Sequence, residues 1–372
     1  MCGHSLGLQP KNTAAYVEAE LKEWERLGVE GHFRARHPWL SYHQLLAGPS
    51  AKLVGAKPVE VVIMNSLTVN LHLMLVSFYR PVPECHKIVI EESAFPSDQY
   101  AVKSQIRYHG YDPGESLLVA AGEDEVEALL DREGESIALI LFGGINYSTG
   151  RAFDLGRTAR AGHAKGCVVG FDLAHSVGNV PLRLHEWDAD FAVWCGYKYL
   201  NGGPGCPAGC FVHERYARDN SLPRFAGWWG NNPETRFRMG PEFDPSAGAE
   251  GWQLSNQPIL ALAALRASLD MFEEVGMERL REKSIRLTGY LGTLLGEDAC
   301  IVTPRDPARR GAQLSIRVRG SVRSVWERLA GAGVVCDWRE PDILRVAPVP
   351  LYNSFHDVYR FVEAFRNSGA IS

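Results

Sequence analysis

Apolar positions along the chain follow two alternating rhythms. Val17, Leu21, Trp24 and Leu27 recur every three or four residues, and Gly28 and Gly31 end the pattern, which predicts a helix over 13–27. Val59 to Asn65 is rich in branched residues and predicts a strand. After Asn65-Ser66, residues 67–78 predict an apolar helix stopped by Arg80-Pro81. The alternation continues with a strand over 87–91, a helix over 99–105 and an acidic amphipathic helix over 122–130. A strand over 136–142, a helix over 154–165, and strands over 167–171 and 191–195 follow, then an antiparallel strand over 209–212. The near-continuous apolar run at 136–142 suits a parallel strand buried on both faces. Strands alternating with helices over this length predict an α/β domain.

Residues 218–256 break the rhythm with a Gly-, Pro-, Trp- and Asn-rich stretch containing Trp228-Trp229-Gly230, of the kind that serves a site or an interface. Two long helices are predicted over 258–275 and 277–295. Short strands follow over 300–303, 313–318, 334–337 and 344–346, with one helix over 322–329 and a last one over 354–365. This is the pattern of a second, smaller α/β domain. The expected division is an N-terminal segment over 1–31 packing on the small domain, a large domain over 32–257 and a small domain over 258–372.

Composition narrows the function classes. With 372 residues the chain can bury a sizeable core, and its net charge of −5 gives no general affinity for polyanions, so nucleic acid is not an expected partner. No apolar run reaches the roughly 18 residues of a membrane span. Met1-Cys2-Gly3-His4-Ser5-Leu6 lacks the basic-then-apolar form of a signal peptide. Of eight cysteines, Cys167, Cys195, Cys300 and Cys336 lie in apolar runs, which suits reduced thiols in a cytoplasmic protein. Cys206 and Cys210 have no second ligand pair nearby, so no metal site is expected. His32, His37 and His43 fit no helical pairing; they read as loop histidines, any functional one hydrogen-bonding a substrate.

Candidate chemistry collects at strand ends, where α/β sheets hold ligands. Asp172 and His175 follow the strand over 167–171, and Lys198 lies between Gly196 and Gly202 after the next one. A lysine that can form an imine and an acid that can hold a pyridinium nitrogen are the pair that pyridoxal phosphate (PLP) requires. Taken singly, Asp172 reads equally as a salt-bridge partner, while the apolar flank and the glycines argue against Lys198 being a surface lysine. Ser66 and Thr68 open a helix whose free N–H groups attract phosphate, or simply cap it. Phe95 reads as a ring platform or as a core staple.

The ordered set 64–72 (Met64-Asn65-Ser66-Leu67-Thr68), 94–98 (Ala94-Phe95-Pro96-Ser97-Asp98), 170–175, 196–201 and 345–352 resembles the kynureninase family, over essentially the whole chain. The resemblance implies fold type I of the PLP-dependent transferases: a large domain with a mostly parallel seven-stranded sheet between helices, plus a smaller α/β C-terminal domain. It implies hydrolysis of the Cβ–Cγ bond of L-kynurenine or 3-hydroxy-L-kynurenine, giving anthranilate or 3-hydroxyanthranilate and L-alanine, in tryptophan catabolism. It makes Lys198 the Schiff-base lysine, with Leu67, Thr68 and Tyr197 at the phosphate and Phe95 on the ring. Asp98 lies near the cofactor, Asp172 holds the ring nitrogen and His175 supports it. Trp228 and Asn256 reach the cofactor or substrate, from the second subunit of a homodimer. Arg345 pairs the substrate carboxylate, and Ser5, His32 and Asn256 line the pocket for its aromatic ring, His32 and Asn256 favouring a ring hydroxyl.

Two departures stand out. His4 replaces the family's usual Asn, and the family carries further residues before this point, which implies a truncation or a different start. Gly143 stands where relatives often carry a hydroxyl near the phosphate, which implies weaker cofactor binding. The alternative within the fold is a cysteine desulfurase or class V aminotransferase. A desulfurase needs a mobile cysteine, and only Cys206 lies close to a flexible loop. The alternative outside catalysis is a dimeric binding protein that has lost activity.

Overall fold

The computed structural model describes residues 1–370. Its helices are α1 (Thr13–Leu27), α2 (Gly31–Arg34), α3 (Gln44–Val54), α4 (Leu67–Phe78), α5 (Pro96–Tyr108), α6 (Pro113–Ser116), α7 (Glu123–Glu133), α8 (Leu155–His163), α9 (Ile259–Val275), α10 (Met277–Leu295), α11 (Val322–Gly331) and α12 (Phe355–Asn367). The first sheet contains β1 (Val61–Met64), β2 (Lys87–Glu91), β3 (Leu117–Ala120), β4 (Ile137–Gly143), β5 (Val168–Asp172), β6 (Phe191–Trp194) and β7 (Ala208–Val212), in the order β1-β7-β6-β5-β4-β2-β3. Only β7 runs against its neighbours; the other pairings are parallel. Alternate residues explain why the strands are apolar throughout. Ile63 and Val89 face one buried cluster while Val62, Met64, Ile88 and Ile90 face the other, so helices cover both faces.

A second, antiparallel sheet has the order β10-β11-β9-β8, from β8 (Cys300–Ile301), β9 (Leu314–Arg317), β10 (Asp337–Arg339) and β11 (Ile343–Val346). Its own apolar cluster runs from Leu287 to Ala370. The expectation began the small domain at residue 258. Leu262, Leu265, Leu269 and Phe272 of α9 pack into a cluster of the large sheet, as do Met277 and Leu280 of α10. Thus α10 carries one core at its start and the other from Leu287 onwards. At the N-terminus, the Ala347 amide donates to the Met1 carbonyl at 3.0 Å, tying the chain's start to the small domain.

Five elements differ from their sequence reading. Helix α5 starts at Pro96, where proline's missing N–H is no loss. The strand expected over 334–337 is instead Asp337–Arg339, because Asp337 pairs with Arg345 across the ladder. The edge strand β3 and helix α3, which contains Pro49, carry too weak a pattern to be read. In α1 the expected apolar stripe is only half used: Val17 and Leu27 pack inward, while Leu21 and Trp24 stay exposed.

Candidate active site

The carboxyl ends of β2, β4 and β5 and the segment after β6 open on one cavity. Leu67, Thr68, Phe95, Asp98, Asp172, His175, Tyr197 and Lys198 all line it. After β6 the chain turns back on itself, with the Gly202 N–H donating to the Gly196 carbonyl at 2.9 Å. The N-terminal segment lies against this turn, Gly7 N–H donating to the Tyr197 carbonyl at 2.9 Å. A side chain at position 7 would collide with the Lys198 carbonyl and Asn201, so only glycine permits the approach. Lys198 Nζ lies 5.8 Å from the Phe95 ring centre and 5.9 Å from that of Tyr197, within cation–π range. Among the described residues it forms no salt bridge.

Opposite the lysine stand three buried carboxylates. Asp172, at the end of β5, is raised by burial, against an Ala174 N–H bond of 2.7 Å and the charge of Lys198. Asp98, on the first turn of α5, is raised well above the carboxylate range by burial and then by the charge of Asp172, with which it shares a hydrogen bond. Glu91, at the end of β2, is pushed up to about 7, chiefly by burial. Three acids facing one lysine leave the cavity short of positive charge, and a cationic ring N–H against Asp172 supplies it. His175 is fully buried and pushed well below its ordinary value by burial and then by Lys198, so it stays neutral. Asp98 Oδ1 and His175 Nδ1 are buried without partners.

The other end of the cavity suits an anion. Asn65 takes a left-handed backbone (φ 48°) that turns β1 into α4. The first intrahelical bond is Asn70 N–H to Ser66 carbonyl, so the N–H groups of Leu67, Thr68 and Val69 are open, as a phosphate cradle requires. The Thr68 and Ser97 hydroxyls lie 2.8 Å apart at its rim. Phe95 is 45% exposed at the cavity, an uncovered platform rather than a core staple. The donors therefore fit a phosphate at α4, a flat cationic ring between Phe95 and Asp172, and an aldehyde at Lys198.

Five further candidates lie outside this lining. Arg345 is buried and doubly bonded to Asp337, with Nε donating to Oδ1 at 2.8 Å; its Nη1 donates to the Tyr147 carbonyl at 2.8 Å. Ser5 donates to the same Asp337 carboxylate and accepts from Arg345 Nη2 at 3.3 Å. Burial would raise Asp337, but His4 and Arg345 outweigh it and hold it well below the usual range. Arg345 and Ser5 thus sit together behind Tyr147, which does line the cavity. His32, Trp228 and Asn256 belong to another neighbourhood. Phe33, beside His32, packs 6.3 Å from Phe237, and Phe237 packs 5.4 Å from Trp228. Trp229 N–H bonds the Leu254 carbonyl just before exposed Asn256.

Sequence reading missed Glu91, Ser97, Tyr147 and Asp337. An acid closing an apolar strand, as at Asp172, was the available signal for Glu91; Asp337 had none, because only pairing with β11 brings it to Arg345. At Gly143 the structure supplies a reason for glycine: a Cβ would strike the Glu91 carboxylate. Two groups of metal-type ligands occur elsewhere, Cys2–His4–Asp337 and Glu60–His185–His213. Their members already hydrogen-bond one another, His4 to Asp337 and His185 to Glu60, each at 2.9 Å.

A family model described as the kynureninase C-terminal domain matches residues 280–365. The chain is 64% identical to the kynureninase of Koribacter versatilis, over 98% of this chain and 89% of that protein. It is 58% identical to the kynureninase of Myxococcus xanthus, over 98% and 88%. In fold it is similar to an apo cysteine desulfurase from Thermococcus onnurineus, with a TM-score of 0.81 and 15% identity over 98% of this chain and 93% of that one. A C-DES variant with glycine covalently linked to its PLP cofactor gives a TM-score of 0.81 and 15% identity, over 100% of this chain and 96% of that one. At such low identity these structures show the shared fold-type-I architecture alone, whereas the near-full-length relatives decide the lineage: the chain belongs to the kynureninase family.

Proposed function

We propose that the chain binds PLP and hydrolyses the Cβ–Cγ bond of L-kynurenine or 3-hydroxy-L-kynurenine, releasing anthranilate or 3-hydroxyanthranilate and L-alanine. One observation carries the reading: Lys198, the Asp172–Asp98 pair and the open N-terminus of α4 face one cavity. When bound, the cofactor supplies an electron sink at the substrate's α-carbon.

The chain's residues do the rest. Lys198 would hold the aldehyde carbon and, as a free amine, would be the base at hand for the α-proton. Asp172, ionised against a ring N–H, keeps that nitrogen protonated. Asp98 donates its proton to Asp172 and fixes the carboxylate's direction. Neutral His175 completes the wall without adding a competing charge. The Tyr197 hydroxyl, pushed up to about 12 by burial and then by Cys195, keeps its proton and donates towards the phosphate or returns a proton to the product. Arg345, whose Nε and Nη2 are held by Asp337 and whose Nη1 is on the Tyr147 carbonyl, would meet the substrate α-carboxylate by giving up part of that pairing.

His32, Trp228 and Asn256 complete the aromatic end of the pocket from a second copy of the chain, which makes the working unit a homodimer. All eight cysteines are free, which supports a reducing cytoplasmic setting. Among the described residues no helix is long and apolar enough to cross a membrane. Chromatography of products decides between this reading and its alternative. Anthranilate and L-alanine from kynurenine are expected; sulfide from cysteine, without anthranilate from kynurenine, would make the chain a desulfurase.

A further inference from the structure

Glu91 lines the cavity and carries no role in the reading above. It is 5% exposed. Oε2 accepts from Gly143 N–H at 2.6 Å and Oε1 from Asn146 Nδ2 at 3.0 Å. Asn146 Oδ1 in turn accepts from the N–H groups of Ser148 (3.1 Å) and Thr149 (3.0 Å) and from the Thr149 hydroxyl (3.1 Å), folding 146–150 into a tight turn. The small domain grips that turn. The Tyr147 carbonyl accepts from Arg345 Nη1 at 2.8 Å and Gln313 Nε2 at 3.0 Å, and the Thr149 carbonyl from the Thr303 hydroxyl at 2.6 Å. The Ser315 hydroxyl donates to the Ser148 carbonyl. On its other side the Tyr147 ring meets Phe95 edge-on at 5.2 Å.

We infer that Glu91 is a positioning residue for substrate binding: through Asn146 it fixes the Tyr147 turn, and through the Tyr147 carbonyl it sets Arg345 where a substrate α-carboxylate is met. The inference rests on the reading of Arg345 as the carboxylate-binding group. Both neighbours of Glu91 are donors, so only a carboxylate satisfies them; a carboxamide would turn its own N–H groups on one of the two. Gly143 belongs to the same device, because a methyl there would push the carboxylate off its donors.

The test uses the PLP-loaded chain and two probes, L-alanine and ethylamine, which share an amine but differ in the carboxylate. Binding is followed through the visible absorbance of the lysine-bound cofactor. In Glu91→Gln, L-alanine binding is expected to weaken about tenfold or more while ethylamine binding changes less than about threefold. Gly143→Ala is expected to show the same split, and it decides alone if Glu91→Gln fails to fold. In the cofactor-free chain, amide exchange at Ser148, Thr149 and Gly150 should quicken in both variants. Arg345→Lys is measured alongside. If that variant binds L-alanine like the wild type, the Arg345 reading fails and this inference with it. If Arg345→Lys is weakened but the Glu91 and Gly143 variants keep wild-type L-alanine affinity, the Arg345 reading stands and the role given to Glu91 is overturned. Equal loss of both probes would place Glu91 in the cofactor pocket and overturn it as well.

Discussion

Lys198 and Asp172 show how position makes ordinary side chains reactive. Lys198 sits in a turn closed by glycines and faces acids, and Asp172 closes an apolar strand, so burial pushes its carboxyl up. A cation at the ring nitrogen reverses that, which predicts that Asp172→Asn binds cofactor but loses about 10²- to 10⁴-fold in kcat, in line with the loss of a group that controls protonation at the reacting centre. Lys198→Ala should lose both turnover and the visible band of the lysine-bound cofactor; normal turnover would remove Lys198 from the reaction. These residues were legible in the sequence because each follows an apolar run, and strand ends are where such sheets bind. Arg345 was legible only through family resemblance, since its partner Asp337 is set by ladder pairing. For Trp228 and Asn256 the composition of 218–256 marked a site or interface, and His32 read as a loop histidine, but neither said which cavity they serve.

At the scale of elements, the strand edge opposite the cavity is locked by a single acid. Asp190, just before β6, accepts from Val169 N–H and Arg215 Nη2 at 2.6 Å each, from the Tyr216 hydroxyl at 2.6 Å, and pairs with His163 Nε2 at 2.9 Å. Burial would raise its carboxyl, but these bonds outweigh burial and hold it below its ordinary value. A lowered carboxyl stabilises the fold above its unfolded value and loses that contribution as pH falls through the folded one, here on the acid side of 3.8. Asp190→Ala leaves the Tyr216 hydroxyl and the Val169 amide without an acceptor and Arg215 with Asp188 alone, so unfolding in urea should show a loss of about 2–5 kcal/mol. The cofactor's visible band should survive wherever the variant is folded. Most such elements were legible because their apolar rhythm is strong, and α4, α10 and β2 match their sequence limits. The edge strand β3 buries only Ala120, so it has neither the continuous run of a central strand nor a strict alternation.

For the molecule as a whole, the surface the chain leaves bare points to a second copy. Leu21, Trp24, Phe33, Trp228, Phe237 and Met239 are all exposed, and the stretch that carries Trp228 also leads to Asn256. Phe33 and Trp228 both touch Phe237 on that surface, and an exposed aromatic cluster suits an interface between copies. Trp228 and Asn256, proposed to reach a substrate, do not line the chain's own Lys198 cavity, which follows if each copy lends them to its neighbour. Mixing two inactive variants tests this directly. Lys198→Ala destroys the site that needs its own lysine, and Asn256→Ala impairs the site to which that residue is lent. In a hybrid dimer one site then lacks both groups and the other has both. With random pairing, half of the dimers are hybrids with one good site of two, so activity should return to about one quarter of wild type after the variants are unfolded and refolded together. If Asn256 serves its own chain's lysine, each hybrid site lacks one group and no activity returns. A monomer in sedimentation equilibrium would remove the lending of residues altogether and leave the aromatic end of the pocket to be built from Ser5, Tyr147 and Phe95 alone.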